Sequence, residues 1–414
     1  MNKFGGNNST TQTFPESGGV TSKNFKNCFP VGFRWMGGTA FAEANPRRLA
    51  EFTKAQMLRP TIRCVDLRPD SAGGYLGRTR IGVGAKPMHS HEGNMSIEST
   101  PFTIVINHPQ AEAYAPLLGE RFPQVRVIVA PDSDGLERYI GEADALLAFH
   151  FPVELFDRAT KLRWFQSLSA GVDSMLPVRD RVDDIIVTNV RGMHGGLIAD
   201  YVMGGLTMLN WDFRKLLSEQ AERKWNFRSV TPLADKTLGV VGLGSIGVSI
   251  ARRAKSAGMT VLGAKRDISV PVEGIDRLFG SNELKDLLPL CDFVVLAVPA
   301  TPETVGLIGV DEIACMRRDA FLINIARGCV VVESELIRAL QAGRLAGAML
   351  DVFEREPLPQ DSPLWDMPNV IVTPHISGIV MDYVERAFEI VAENIERYLK
   401  GLPLKNLIDL RRGY

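Results

Sequence analysis

Regular hydrophobic patterning begins at Phe102. A short apolar run, Phe102 to Asn107, precedes a helical pattern from Ala111 to Phe122, and a second apolar run follows from Val125 to Ala130. Asp144 to Phe149 and Leu162 to Ser167 continue the same rhythm, which is that of strands and helices alternating along a parallel sheet. Apolar spacing at helical period runs on from Leu197 to Glu222 and predicts one long helix. A second series opens after Leu233, Ala234 and Asp235. Its predicted strands are Thr237 to Val241, Thr260 to Ala264, Phe293 to Val298, Phe321 to Ile325 and Val370 to Thr373. Met381 to Lys400 carries Val384, Phe388, Val391, Ile395 and Tyr398 at helical spacing, so a last helix is expected to cross back onto the first sheet.

Upstream of this patterning, residues 1 to 100 show no sustained period of 2 or 3.6, and glycine-rich pieces such as Gly5 to Thr11 and Asp70 to Gly77 interrupt them. This stretch reads as a mostly unstructured extension, with Met95 as an alternative start. The expected organisation is two doubly wound α/β domains: a flavodoxin-like substrate domain over 101–199, completed by the C-terminal helix within 381–414, and a Rossmann cofactor domain over 200–380. A chain of 414 residues is long enough for two cores.

Composition narrows the function classes. With 45% apolar residues, 23% charged residues and a formal net charge of −1, there is no electrostatic case for a nucleic acid or a membrane surface as partner. No apolar run reaches the roughly 18 to 20 residues a membrane helix needs. The five cysteines are scattered without the spacing of a zinc site, so no metal is expected. These features together predict a cytoplasmic protein.

The first chemical signal is Gly242, Leu243, Gly244, Ser245, Ile246, Gly247, set between the strand ending at Val241 and a helix over Val248 to Ala257. In that context the first glycine permits a tight turn, the second lets the backbone approach a pyrophosphate, and the third packs helix on strand. The anion would rest on a helix N-terminus. Where the next strand ends, a carboxylate usually binds the ribose of NAD; here Lys265 and Arg266 follow Ala264. Two cations suit the 2′-phosphate of NADP, so NADP(H) is preferred over NAD(H). Asp267 would serve the ribose if the register differs by two residues.

Three further segments fall at predicted strand ends: Asn324 to Gly328, Asp351 to Leu358, and Thr373 to Gly378. A 2-keto acid offers a carboxylate and a carbonyl that gains negative charge as hydride arrives. Arg327 has the planar fork of donors to hold those oxygens. His375 carries an imidazole that can protonate the forming alkoxide. Glu356, bonded to the other ring nitrogen, would favour the imidazolium.

An Arg-Gly after a strand, a D-V-F-x-x-E-P-L run and a T-P-H together resemble the D-isomer-specific 2-hydroxyacid dehydrogenase family, over roughly Phe102 to Leu407. The resemblance implies Arg327 as substrate anchor, His375 as acid/base and Glu356 as its partner, with Asp351 toward the nicotinamide carboxamide. Val298, Pro299, Ile325, Ala326, His375 and Gly378 complete the cofactor set that it implies. In the first domain Leu162 to Gln166 and then Ala170 to Asp173 also match, and Ala170 and Gly171 are expected to close on the substrate carboxylate. His150 and His194 are read as wall residues.

The function expected is reduction of a small 2-keto acid such as glyoxylate or hydroxypyruvate, in a homodimer joined through its cofactor domains. Phosphite dehydrogenase and a nucleotide-sensing corepressor-like protein share the scaffold and stand as alternatives. Two features depart from the family: the long extension, and base in place of acid after the second cofactor-domain strand.

Overall fold

The computed structural model describes residues 101–182 and 184–413. The predicted extension and the Met95 start lie outside the described residues.

Two parallel sheets divide the described chain into two lobes. The first sheet holds β1 (Thr103–Asn107), β2 (Arg126–Val129), β3 (Ala145–Ala148), β4 (Trp164–Ser167) and β5 (Ile186–Thr188), in the order β2-β1-β3-β4-β5. In β1, Ile104, Val105 and Ile106 are all fully buried, because helices cover both faces of a parallel sheet and no side need be polar. Ile104, Ile106 and Trp164 pack with Tyr114 and Leu118 of the helix Ala111–Arg121 and with Val384, Phe388, Val391 and Ile395 of the helix Tyr383–Leu399. Val105, Leu146 and Phe165 face the other way, against Leu136, Ile140 and Met175. The C-terminal helix therefore covers the first sheet, and Ile408 N–H donates to the Val187 carbonyl (2.9 Å) just beyond it.

The second sheet holds β6 (Thr237–Val241), β7 (Thr260–Ala264), β8 (Arg277–Phe279), β9 (Phe293–Leu296), β10 (Phe321–Asn324), β11 (Gly347–Leu350) and β12 (Val370–Val372). Their order is β12-β11-β10-β9-β6-β7-β8, all parallel. Leu238 and Val240 of β6 and Phe293 and Val295 of β9 face the helices Gly195–Trp211 and Ser245–Ser256; Val294 and Leu296 face the opposite layer. The strand order reverses between β6 and β9, where open α/β sheets bind ligands outside the carboxyl ends of their strands.

Three differences from the sequence reading have local causes. The helix predicted from Leu197 to Glu222 is two helices, Gly195–Trp211 and Phe213–Ala221, broken at Asp212 with φ of 52°. Asp tolerates the left-handed region, and its carboxylate accepts from Lys215 N–H to cap the second piece. The helix after the glycine-rich turn starts at Ser245 rather than Val248, taking in the turn's own last residues. Strands β5 and β8 were not anticipated; each has three residues, too few for a period to register.

Candidate active site

Because β6 to β12 are parallel, their carboxyl ends share one edge, and that edge carries the chemistry. Gly242 follows β6, Val298 and Pro299 follow β9, Arg327 follows β10, Asp351 follows β11 and His375 follows β12.

The glycine-rich turn behaves as its spacing requires. Gly242 has φ of +99°, and a Cβ there would lie 2.6 Å from the Ala297 carbonyl oxygen. A Cβ on Gly247 would lie 1.9 Å from the Gly242 oxygen, so this residue is what lets the helix sit against the turn. Gly244, in contrast, faces open space, and Ser245 and Ile246 begin the helix whose N-terminal amides point there. Across the sheet, Lys265 N–H bonds the Phe279 carbonyl, so Lys265 is the first residue beyond β7. Its Nζ donates to the Val270 carbonyl (2.7 Å), folding the 265–270 loop on itself. Asp267 in that loop accepts from the hydroxyl and N–H of Ser269, contacts that hold its carboxyl below the usual range. Val298 is half-buried, whereas Ile325 and Ala326 are buried immediately before Arg327.

His375 and Glu356 are brought together. The His375 Nδ1 lies 2.8 Å from Glu356 Oε2, while Glu356 Oε1 accepts from Phe353 N–H (3.0 Å). The glutamate side chain is 11% exposed against 39% for the histidine, so the carboxylate is walled in and the ring's other nitrogen is accessible. His375 itself has φ of 52°, a strained conformation for a non-glycine residue. Asp351 accounts for how it is held. Its buried carboxylate accepts from Ile376 N–H (2.9 Å), Ser377 N–H (2.9 Å) and the Thr373 hydroxyl (2.6 Å), and its carbonyl accepts from His375 N–H (2.8 Å). Since the Thr373 proton is directed at Asp351, the Tyr201 hydroxyl must be the donor in its own bond to Thr373. The segment bearing His375 is thus tied to the helix Gly195–Trp211. Gly378 follows; a Cβ there would sit 3.4 Å from the His194 ring.

Arg327 projects toward the first lobe. Its Nε and Nη2 lie 2.8 and 2.7 Å from Asp173 Oδ2, and its Nη1 donates to the Ala326 carbonyl (2.7 Å). The Asp173 charge drives the guanidinium pKa still higher. Gly171 is small for a reason visible here: a Cβ on it would fall 2.1 Å from Arg327 Nη2. The carbonyl of neighbouring Ala170 is occupied by Asn189 Nδ2 (2.6 Å).

Of the two wall histidines, His194 is buried with Nε2 against the Tyr383 hydroxyl (3.1 Å), and burial pushes its pKa down to about 4. His150 lies within electrostatic reach of Arg327, Asp173 and His375; crowding by protein, then the Arg327 charge, lowers its pKa. Sequence reasoning assigned no role to Asp173, Thr373 or Tyr201. Asp173 lay inside a quoted motif, and the signal available was a carboxylate two residues after a glycine at a strand end.

Among the described residues no cluster of His, Cys, Asp or Glu could hold a metal ion, and no helix is long and apolar enough to cross a membrane. A glycine-rich strand-to-helix turn at the reversal point of a doubly wound sheet is a dinucleotide site, and with a second α/β lobe beside it the fold defines an NAD(P)-dependent oxidoreductase.

Known proteins agree. Residues 203–377 match the model of the D-isomer specific 2-hydroxyacid dehydrogenase, NAD binding domain. The chain is 35% identical over 283 residues to glyoxylate/hydroxypyruvate reductase A of Escherichia fergusonii, covering 66% of this chain and 88% of that one. It is 32% identical over 316 residues to D-3-phosphoglycerate dehydrogenase of Methanocaldococcus jannaschii, covering 74% of this chain but 59% of that longer protein. Its structure resembles the NADPH-dependent glyoxylate/hydroxypyruvate reductase of Sinorhizobium meliloti, solved with NADP and sulfate, with a TM-score of 0.68, 31% identity, and coverage of 75% and 99%. The chain belongs to the D-isomer specific 2-hydroxyacid dehydrogenase family and acts, with NAD(P), on the CH–OH group of a small hydroxy acid or the corresponding keto acid.

Proposed function

We propose that this protein is an NADPH-preferring 2-keto acid reductase acting on glyoxylate or hydroxypyruvate, with Arg327, His375 and Glu356 as its catalytic set. The observation that carries this reading is the His375–Glu356 pair, 2.8 Å apart, on the same strand edge as Arg327. When bound, the nicotinamide supplies the hydride. The protein's part is to hold the keto acid and deliver a proton. Arg327 anchors the substrate carboxylate, and the exposed nitrogen of His375 protonates the alkoxide as it forms. Glu356, held by Phe353 N–H, keeps the ring oriented and offsets its charge.

The first lobe and its C-terminal helix serve the substrate, and the second lobe serves the cofactor. Lys265 and Arg266, directly after β7, are the 2′-phosphate contacts, and NADP is the nucleotide named in the Sinorhizobium meliloti complex. Asp351, expected toward the nicotinamide carboxamide, accepts from the His375 segment, so its part in this reading is to support that segment.

The protein is a homodimer in this reading. Trp225 and Phe227 are 98% and 94% exposed, with Trp211 and Leu217 also exposed on the adjoining helices of the cofactor lobe. Aromatic side chains bared to this degree in one segment mark a face that a partner covers. Steady-state NADPH oxidation with a panel of 2-keto acids tests the activity, and turnover restricted to small ones is the result expected.

A further inference from the structure

The Asp173–Arg327 contact joins residues 154 apart in sequence and from different lobes. Arg327 comes from the end of β10; Asp173 opens the short turn that follows β4 and the Ala170-Gly171 bend. Both side chains are largely shielded, 29% and 13% exposed.

Counting donors shows what the contact leaves. A guanidinium carries five N–H groups. Nε–H donates to Oδ2 of Asp173, with Nη2 in ion-pair contact 2.7 Å from the same oxygen, and one N–H of Nη1 goes to the Ala326 carbonyl. At least one N–H then remains on each terminal nitrogen. With its Nε side turned to Asp173, the guanidinium leaves its end-on edge, the two terminal nitrogens, as the fork that matches the two oxygens of a carboxylate. Gly171 lies against this same contact, since a Cβ there would fall 2.1 Å from Nη2 and 2.8 Å from Asp173 Oδ2.

We propose that Asp173 is a positioning residue: it takes the side of the guanidinium so that Arg327 presents its end-on fork to the carboxylate of the 2-keto acid. This rests on the reading of Arg327 as the substrate anchor. Asp173 carries the same charge as the substrate, so it serves through geometry and not through attraction. The benefit is confined to substrates that bear a carboxylate.

The test compares glyoxylate with methylglyoxal, an uncharged dicarbonyl. In Asp173→Ala the KM for glyoxylate should rise roughly 10- to 100-fold, the loss expected for misplaced charge-assisted hydrogen bonds. The NADPH dissociation constant should change by less than about threefold, and kcat/KM for methylglyoxal should fall far less than that for glyoxylate. Asp173→Asn keeps an acceptor oxygen and should restore much of the glyoxylate KM. Gly171→Ala, which crowds the Nη2–Asp173 contact without removing the carboxylate, should raise the same KM and supplies the result if Asp173→Ala does not fold.

An unchanged glyoxylate KM in Asp173→Ala, or equal losses for both carbonyl compounds, overturns the proposal. Arg327→Gln separates this from failure of the anchor itself. A raised glyoxylate KM there with a normal one in Asp173→Ala removes only the role of Asp173; a normal KM in both removes the anchor as well.

Discussion

The imidazole of His375 and the carboxylate of Glu356 meet at 2.8 Å, with the second carboxylate oxygen fixed by Phe353 N–H, so the ring has one bonded nitrogen and one presented outward. An acid poised this way should be removable without disturbing the nucleotide. His375→Asn is expected to lower kcat by about 10² to 10⁴ while the NADPH dissociation constant stays within about twofold. Fluorescence titration alongside turnover reads both, and near-normal turnover would show that another group donates the proton. Glu356→Gln should lower kcat less, by roughly one to two powers of ten, because the ring keeps its shape and loses only its ionic partner.

In the proposed function, cofactor choice depends on charge directly beyond β7. Changing Lys265 to Asp should cost NADPH one to two powers of ten in kcat/KM, about 1.4 to 2.8 kcal/mol, with little change for NADH. Equal losses with both nucleotides would mean that Lys265 acts only through its bond to Val270 and the shape of the loop.

Two buried histidines set an acid limit on stability. Burial lowers His108 and His194 from 6.5 to about 4, and they are 3% and 6% exposed. Between those pH values the unfolded chain binds protons that the folded one refuses. Their contribution is complete above pH 6.5 and is lost as pH falls toward and through 4, on the order of 3 kcal/mol each. Denaturant unfolding across this range should show the decline, and a His108→Gln, His194→Gln double variant should show a shallower one. Parallel slopes would assign the acid limit to other groups.

Homodimer formation predicts that Trp225→Ser with Phe227→Ser shifts the sedimentation mass toward one chain. A wild-type protein that sediments as a monomer would leave those exposed rings without the partner assigned to them.

Much of this could be read from residue order. The apolar runs Thr237–Val241 and Thr260–Ala264 are strands at the predicted bounds, each ending at a glycine or a charged residue, Gly242 and Lys265. Motif spacing placed Arg327, Glu356 and His375 at strand ends, which in a parallel sheet share one edge. What could not be read depends on pairing across the fold. Asp173 gains its meaning only from Arg327, and the bonds of Asp351 to Ile376 and Ser377 need the loop to be closed. That a Cβ on Gly171 would meet the Arg327 side chain is likewise visible only in the folded chain. The break at Asp212 escaped notice because apolar spacing continues through it, and only a backbone angle marks the end of the helix.

The most direct test of the account is NADPH oxidation by the purified full chain with glyoxylate and with hydroxypyruvate, run beside His375→Asn. The account predicts turnover that requires the keto acid and collapses in the variant while NADPH binding persists. NADPH binding with no turnover of any 2-keto acid, by the wild type as by the variant, would contradict it.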